Sequence, residues 1–395
     1  MGFGVVLRID RHGILTRAVF ILGVALLSGS CGDRPRADDP DLAIDLRWSR
    51  SYGDESRTDV ETGLLWTLSF LGAALPDEGA RPLAWRGDML TLHLDRAGVD
   101  ASSLPNWKRL LAAMKASEEY RSRGGLDIGR FVALTLCSPN HYYALTGADT
   151  RIEQAYARHS FAPEQSAIVE STVSHGNRLI EVAAGTTPAD IAFMAHEGPG
   201  SISMGTFVIE EHELLDVMAN GQLRFALYGV DGALKPAANR TLTAAGKPAK
   251  CLWCHEIALQ RPVDGRTSVP GYATLGEFER LIAQRMGALR SARSELDSRV
   301  SFARRQDHTY AELLYISFYE PSAERIALEW NVPAARVREA LTGLPTHAHR
   351  EFDFLGERLY RRSDIDALAP YGVLAPPTDP REPSAYEPDL LDFHQ

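Results

Sequence analysis

The stretch Cys251-Leu252-Trp253-Cys254-His255 places two thiols and one imidazole within five residues of each other. Two thiols three positions apart can each form a thioether to one vinyl group of the same porphyrin. The imidazole beside the second thiol can then bind the iron from one side. We therefore predict that Cys251 and Cys254 attach one haem covalently and that His255 is its proximal iron ligand.

These five residues resemble the haem-attachment motif of the c-type cytochromes. The resemblance implies one haem c on Cys251 and Cys254 with His255 on the iron, and it covers little of the chain beyond the motif. Trp253, between the two cysteines, would shield the edge of the ring from water.

Three other interpretations of the motif stay open. A structural zinc site needs four ligands, usually in two pairs, but Cys137 is the one further cysteine in the body of the chain. A thioredoxin-like redox pair normally follows a strand in a βαβ unit, which the sequence does not indicate. The third interpretation is a pair of buried thiols without a cofactor.

The beginning of the chain predicts export. Three arginines precede an apolar run over residues 18–27, which is too short to span a bilayer. Small residues follow at 28–30, and Cys31 comes next. Residues 1–30 resemble a bacterial lipoprotein signal, although the expected leucine, Leu27, stands four places before Cys31 instead of three. The resemblance implies a lipid on Cys31 and a periplasmic location, with the lipid anchored in the outer membrane more often than in the inner one. The alternative is an ordinary cleaved signal without a lipid.

Cysteine count and charge fit this interpretation. With lipid on Cys31 and haem on Cys251 and Cys254, Cys137 is left over and is expected to be a buried, inert thiol. The chain has a net charge of −10 and no basic stretch that could clamp a phosphate backbone. We expect no nucleic-acid partner, and the acidic surface would suit a basic periplasmic redox partner protein.

The pattern of apolar residues predicts an α+β fold, mainly helical, with a central antiparallel β-meander that carries the haem motif at its end. Asn220-Gly221 and Asp231-Gly232 lie between apolar runs and predict hairpin turns in that meander. The predicted regions are a signal peptide at 1–30, a tether at 31–47, a helical region at 48–165, a β-containing haem-binding domain at 166–272, a helical region at 273–370 and a Pro-rich acidic tail at 371–395.

The order of these elements also resembles the cytochrome P460 and β-sheet cytochrome c′ group, which implies a haem pocket built on a β-sheet. P460 members carry a lysine joined to the porphyrin before the haem motif. The stretch 179–234 contains no lysine, so the chain departs from the pattern that P460-type hydroxylamine chemistry requires.

The region after the motif reads as helical. Thr274 and Glu277 form a capping box, and Phe278, Met286 and Leu289 belong to one apolar stripe. Residues 322–368 resemble a helix–turn–helix with a wing. An exported chain meets no DNA, so we interpret this region as two short packed helices.

The sixth haem ligand is not determined by the sequence. Met204, Met286, His196 and His308 are all candidates. A methionine or histidine in that position would make an electron carrier, whereas an open position would allow gas binding or catalysis.

Three functions follow from these alternatives. The first is a lipid-anchored monohaem cytochrome that transfers electrons in the periplasm. The second is a haem enzyme or gas sensor with an open sixth position, in which His196, Glu197 or His141 acts as a distal acid or base. The third is an interaction protein that uses the haem structurally.

Overall fold

The structure, a computed structural model, describes residues 39–171, 173–185, 187–255, 258–259, 268–296, 298–302, 307–382 and 387–393. The side chains of residues 163–165 and 308 are not described. The predicted signal at 1–30 and the predicted lipid site at Cys31 lie outside the described residues and stay predictions.

In the described chain, helices mixed with short strands come first, five consecutive strands follow, and six α-helices come last. The α-helices are α1 Arg57–Phe70, α2 Leu104–Ala116, α3 Glu118–Arg123, α4 Ile128–Thr135, α5 Pro139–Thr146, α6 Ile152–Arg158, α7 Pro248–His255, α8 Leu275–Glu295, α9 His308–Tyr319, α10 Ala323–Trp330, α11 Ala334–Ala340 and α12 Arg362–Ile365. The strands are β1 Ala43–Arg47, β2 Leu83–Arg86, β3 Met89–His93, β4 Leu126–Asp127, β5 Phe161–Ile168, β6 Arg178–Ala183, β7 Ala192–Glu197, β8 Glu211–Val217 and β9 Leu223–Gly229. Short 3-10 helices lie at Pro40–Leu42, Leu94–Arg96, Pro188–Asp190, Asp353–Leu355 and Asp366–Leu368.

The predicted α+β class is confirmed, and so is the antiparallel meander. Strands β5 to β9 form a five-stranded sheet in sequence order, and each strand pairs antiparallel with its neighbour along the chain. The predicted Asn220-Gly221 turn joins β8 to β9, with Gly221 at φ +77 and a hydrogen bond from its N–H to the Met218 carbonyl. The positive φ explains the glycine at this position.

A second, smaller sheet was missed by the sequence interpretation. It has the order β2-β3-β1-β4, and its strand β1 occupies residues that were predicted to be tether. Ile44 and Leu46 of β1 are buried, and they alternate with Asp45 and Arg47. This alternation with period two is the strand signal, so the predicted start of the fold at residue 48 was too late.

Helices α1 and α9 pack closely at the centre of the molecule. A Cβ atom at Gly63 of α1 would lie 2.7 Å from the backbone carbonyl oxygen of Tyr310 in α9. Only glycine allows this approach, because any side chain would collide with backbone. The close contact brings α9 beneath the N-terminal helices, where it belongs to the main hydrophobic core.

The predicted regions pack into one compact unit instead of separate domains, since a single core includes residues from both sheets and from helices before and after the meander. The described part of the predicted Pro-rich acidic tail at 371–395 also belongs to this unit. Leu391 is 1% exposed, and the Leu390 N–H donates to Nε2 of His141. The buried Leu391 anchors the segment. No described helix combines the length and apolar character that a membrane span requires.

The helix–turn–helix-like region is fixed by its charged residues. Its helices α10 and α11 share a small apolar cluster around Ile326, Trp330 and Val337. Arg325 and Glu329 of α10 are buried, and Arg325 donates to Asp127 at the start of α4. These contacts hold α10 against the N-terminal half, so packing is a sufficient reason for the two short helices.

Candidate functional site

The residues of the predicted motif share one face of α7. Cys251, Cys254 and His255 have the spacing i, i+3 and i+4, which brings side chains together on a helix surface. Helix α7 packs against strand β9. The His255 ring lies 5.5 Å from the Phe225 ring of that strand, measured between ring centroids.

All three motif side chains line one cavity of about 400 Å³ between α7, α8 and the five-stranded sheet. This volume is within the usual range for small-molecule and cofactor sites. Most of the wall is apolar, and its larger members are Ile180, Phe193, Leu215, Phe225, Phe278 and Ile282.

Strand register explains why this face of the sheet is apolar in the middle and charged at one edge. Ile180, Ala195, Glu213 and Leu227 form one cross-strand row. Phe193, Leu215 and Phe225 form the next row on the same face. On the other side of the first row, Arg178, Glu197 and Glu211 lie next to each other.

Arg178 is the central cation of the charged edge. Its guanidinium donates to Glu213 at 2.9 Å and forms an ion pair with Glu197. Burial and the neighbouring Glu213 carboxylate, opposed by Arg178, together raise the pKa of Glu197 to about 8. Burial also raises the pKa of Glu213. The cluster therefore holds a proton at neutral pH.

Glu197, Glu211 and Glu213 are also the one group among the described residues that could hold a metal ion, with ligand oxygens within 4.8 Å of one another. Two cations already balance two of the three negative charges. Lys235 Nζ lies 2.6 Å from Glu211, and Arg178 binds the other two carboxylates. This leaves one negative charge, which a proton can balance as well as a metal can.

Burial determines how the motif side chains ionise. Cys251 and Cys254 are not joined in a disulfide, and burial raises the pKa of Cys251. Burial, with repulsion from Arg178, lowers the pKa of His255 to about 4, so its imidazole is neutral at physiological pH. A neutral imidazole is the form that binds metals. Among the described residues, the one group of side chains that could hold a metal ion does not include Cys251, Cys254 or His255. A structural zinc site at the motif therefore gains no support from the structure.

His196, a candidate sixth ligand, points to the other face of the sheet. It sits one position from Ala195, which lines the cavity, and alternate residues of a strand face opposite sides. Its Nδ1 lies 2.7 Å from Nδ1 of His212 on the neighbouring strand. Glu197, the next residue, lies on the cavity face of the sheet, next to Arg178 and Glu211.

The methionine candidates are also used elsewhere or lie apart. The Met286 sulfur accepts a hydrogen bond from the Leu259 N–H at 3.0 Å. Met204 is 75% exposed in the loop between β7 and β8. His308 begins α9, and its side chain lies outside the description.

Two further candidates have structural roles. His141 is buried, its Nδ1 contacts the Leu134 carbonyl at 2.5 Å, and its Nε2 accepts from Leu390 N–H. Neither nitrogen is free for a distal acid or base. Cys137 is buried and its pKa is raised by burial, as expected for an inert thiol.

Sequence reasoning missed Arg178 and Glu213 as cavity residues. The signal was present in the parity of the strands, because Arg178, Ile180 and Val182 alternate with Leu179 and Glu181. Which of the two faces would meet α7 depends on long-range packing, which no local pattern reveals.

In comparisons with known proteins, no family model, no curated protein and no solved structure matches the chain.

Proposed function

We propose that the chain is an exported monohaem c-type protein whose haem is attached to Cys251 and Cys254 in the cavity beneath the five-stranded sheet, with His255 as an iron ligand. The observation that carries the proposal is that both thiols and the imidazole line the same largely apolar cavity of about 400 Å³. The donor set fits the group, because the two thiols are not consumed in a disulfide and the imidazole is neutral. A bound haem would supply redox chemistry and an iron site for small ligands.

An open sixth position is the better-supported form of this proposal. Among the described residues that line the cavity, His255 is the one histidine and there is no methionine. The nearby undescribed segments 256–257 and 260–267 contain neither residue type in the sequence. A haem enzyme or gas-binding sensor is therefore favoured over a simple carrier with two axial protein ligands.

The chain's own polar groups suit ligand chemistry in the cavity. The Arg178 guanidinium is a hydrogen-bond donor at the cavity wall, and its Nε has no partner among the described residues. Glu213 lines the same wall. Glu197, which shares Arg178 with Glu213, has a pKa of about 8 and therefore keeps its proton at neutral pH. The edge can thus both orient a polar ligand and release or take up a proton.

Electron transfer in the periplasm is the second candidate, and one observation favours it. Trp253, within the motif, stacks on Tyr315 of α9 with ring centroids 6.4 Å apart and an interplanar angle of 10°. Such a stack at the attachment site offers an electron path into the protein. A periplasmic redox partner protein would then deliver or receive the electrons.

The decisive experiment is expression of the full chain in a host with c-type haem maturation, followed by a pyridine haemochrome spectrum for the haem count and an absorption spectrum of the native ferric protein for the spin state. We expect one covalent haem and a high-spin ferric spectrum. Cys251→Ser/Cys254→Ser should lose the covalent haem, whereas the matched control Cys137→Ser should keep it. A low-spin six-coordinate spectrum would favour the electron carrier, and a haem-free product would overturn the proposal.

Lipid attachment at Cys31 is tested separately, by fractionation and mass spectrometry of the same protein. We expect the chain in the membrane fraction with a lipid on Cys31, and Cys31→Ser should release it or block its processing. Retention of an unmodified chain in the cytoplasm would contradict the proposed export.

A further inference from the structure

Two aromatic side chains continue inward from the motif. The indole Nε1 of Trp253 donates to the hydroxyl of Tyr315, in addition to the stacking of their rings. Tyr315 is 1% exposed, in the core between α7 and the N-terminal helices. The pair therefore joins the attachment site directly to helix α9.

Tyr319 lies one helical turn beyond Tyr315. Residues at i and i+4 are neighbours on a helix surface, about 5–6 Å apart at Cβ. Tyr319 is buried, and its hydroxyl has no hydrogen-bond partner among the described residues. Phenylalanine would fill the same space without the cost of an unsatisfied hydroxyl, so packing alone does not explain this tyrosine.

Tyr319 lines a charged cleft of about 1110 Å³ that is open to solvent. Glu320 is the centre of its hydrogen bonds: it accepts from Arg381, and its other oxygen lies 2.8 Å from Nε2 of His347. Arg381 also donates to Asp379 at 2.9 Å. The cleft is thus a polar surface on which an electron donor can settle, with a buried tyrosine at its base.

We propose that Trp253, Tyr315 and Tyr319 form an electron path between the motif and the cleft. The inference rests on the proposed haem at Cys251 and Cys254. One electron leaves a donor in the cleft and arrives at the ferric centre. The aromatic side chains end unchanged, and no bond forms or breaks.

A photochemical label tests the path in the haem-loaded full chain. Arg350 lines the cleft and is exposed, so Arg350→Cys provides a site for a ruthenium polypyridyl group. A flash then injects one electron from excited Ru(II), and transient absorption follows haem reduction. We expect a fast phase that Tyr315→Leu and Trp253→Leu abolish and that Tyr315→Phe keeps.

Matched controls separate the path from a loss of folding. Tyr310→Leu changes another tyrosine of α9, one whose hydroxyl hydrogen-bonds to Asp59 of α1, and should leave the fast phase intact. Trp253 is only partly buried, so its replacement disturbs the core less than replacement of the buried Tyr315 does. The two leucine variants therefore test the path with different risks of misfolding. Equal rates in the wild type and in both leucine variants would overturn the proposal.

A second arm needs no haem. In a haem-free full chain that also carries Cys251→Ser and Cys254→Ser, so that these two thiols cannot take the label, a flash and an external quencher convert the label to Ru(III). The Ru(III) takes one electron from an aromatic residue while that residue releases its proton to water. We expect a tryptophan radical that is absent in Trp253→Phe and in Tyr315→Leu. Radical yields that are the same in all three proteins would refute the path, whereas failure of haem attachment alone would leave this result unchanged.

Discussion

Both carboxylate oxygens of Glu329 accept hydrogen bonds from the guanidinium of Arg362, at 2.8 and 2.9 Å, although both side chains are buried. Arg362 also lies over the Phe318 ring, 4.0 Å from its centroid. Arg130 and Arg325 contact the same ring and the same set of carboxylates. This network ties α10 and α12 to α4 and α9, so it fixes the C-terminal helices on the N-terminal half.

Removing the Arg362 charge should destabilise the fold strongly. Arg362→Met leaves the Glu329 carboxylate buried without its bidentate partner, and we expect a loss of about 3–5 kcal/mol in the free energy of unfolding. Urea unfolding measures it. Arg336→Met is the matched control, because its pair with Glu339 is largely exposed and should be worth less than about 1 kcal/mol. Equal losses in the two variants would contradict the assigned role of burial.

The raised pKa of Glu197 predicts that stability falls as the pH rises from about 4.5 to about 8. Because the folded state keeps this proton up to a pKa of about 8 while the unfolded carboxyl releases it near 4.5, the folded state binds more protons in between. The stabilisation is present below pH 4.5 and is lost as the pH rises through about 8. Glu197→Gln should flatten this decline in urea unfolding series. An unchanged slope would mean that Arg178 already holds Glu197 ionised.

The lowered pKa of His212 predicts the opposite dependence at acid pH. Burial and the neighbouring His196 lower its pKa to about 4, so the unfolded state binds the extra proton first. The stabilisation is present above the ordinary pKa near 6.5 and is lost as the pH falls through about 4. His212→Gln should weaken this acid decline. A variant with the wild-type acid profile would exclude His212 as its source.

Local signals in the sequence predicted the parts of the fold that local interactions determine. The Thr274–Glu277 capping box is present, with the Glu277 carboxylate accepting from the Thr274 N–H at 2.7 Å. The Asn220-Gly221 hairpin is present for the same reason, since turn geometry depends on adjacent residues. The N-terminal sheet was missed because its central strand β1 lies in a stretch that looked like a tether.

The candidate site was only partly predictable. Cys251, Cys254 and His255 are recognisable from their spacing alone, but the cavity wall depends on residues that lie many positions earlier in the chain. Arg178 meets Glu213 across two strand pairings, and each pairing depends on the register of the whole meander. The position of His196 on the far face follows from that register too, so no single segment could exclude it as a ligand.

Substitution of the methionine and histidine candidates should leave the haem spectrum unchanged. His196 faces away from the cavity, and the Met286 sulfur is already bonded to the Leu259 N–H. Met286→Leu and His196→Gln, each in the haem-loaded chain, should keep the wild-type spin state in absorption and electron paramagnetic resonance spectra. A change from low spin to high spin in either variant would identify that residue as the sixth ligand.

The C-terminal segment should stabilise the motif helix through one buried lysine. Lys247, at 0% exposure, precedes α7 and places its Nζ 2.5 Å from Glu387 and 2.7 Å from the Thr378 carbonyl. Lys247→Met leaves Glu387 buried and unpaired, so we expect a loss of about 3–5 kcal/mol in urea unfolding and faster proteolysis of the C-terminal segment. Lys108→Met is the control, because its pair with Asp39 is partly exposed, and it should lower the free energy of unfolding far less than Lys247→Met does. If Lys247→Met unfolds like the wild type, the segment is held by its apolar contacts at Leu391 and does not depend on the helix that carries the cysteines.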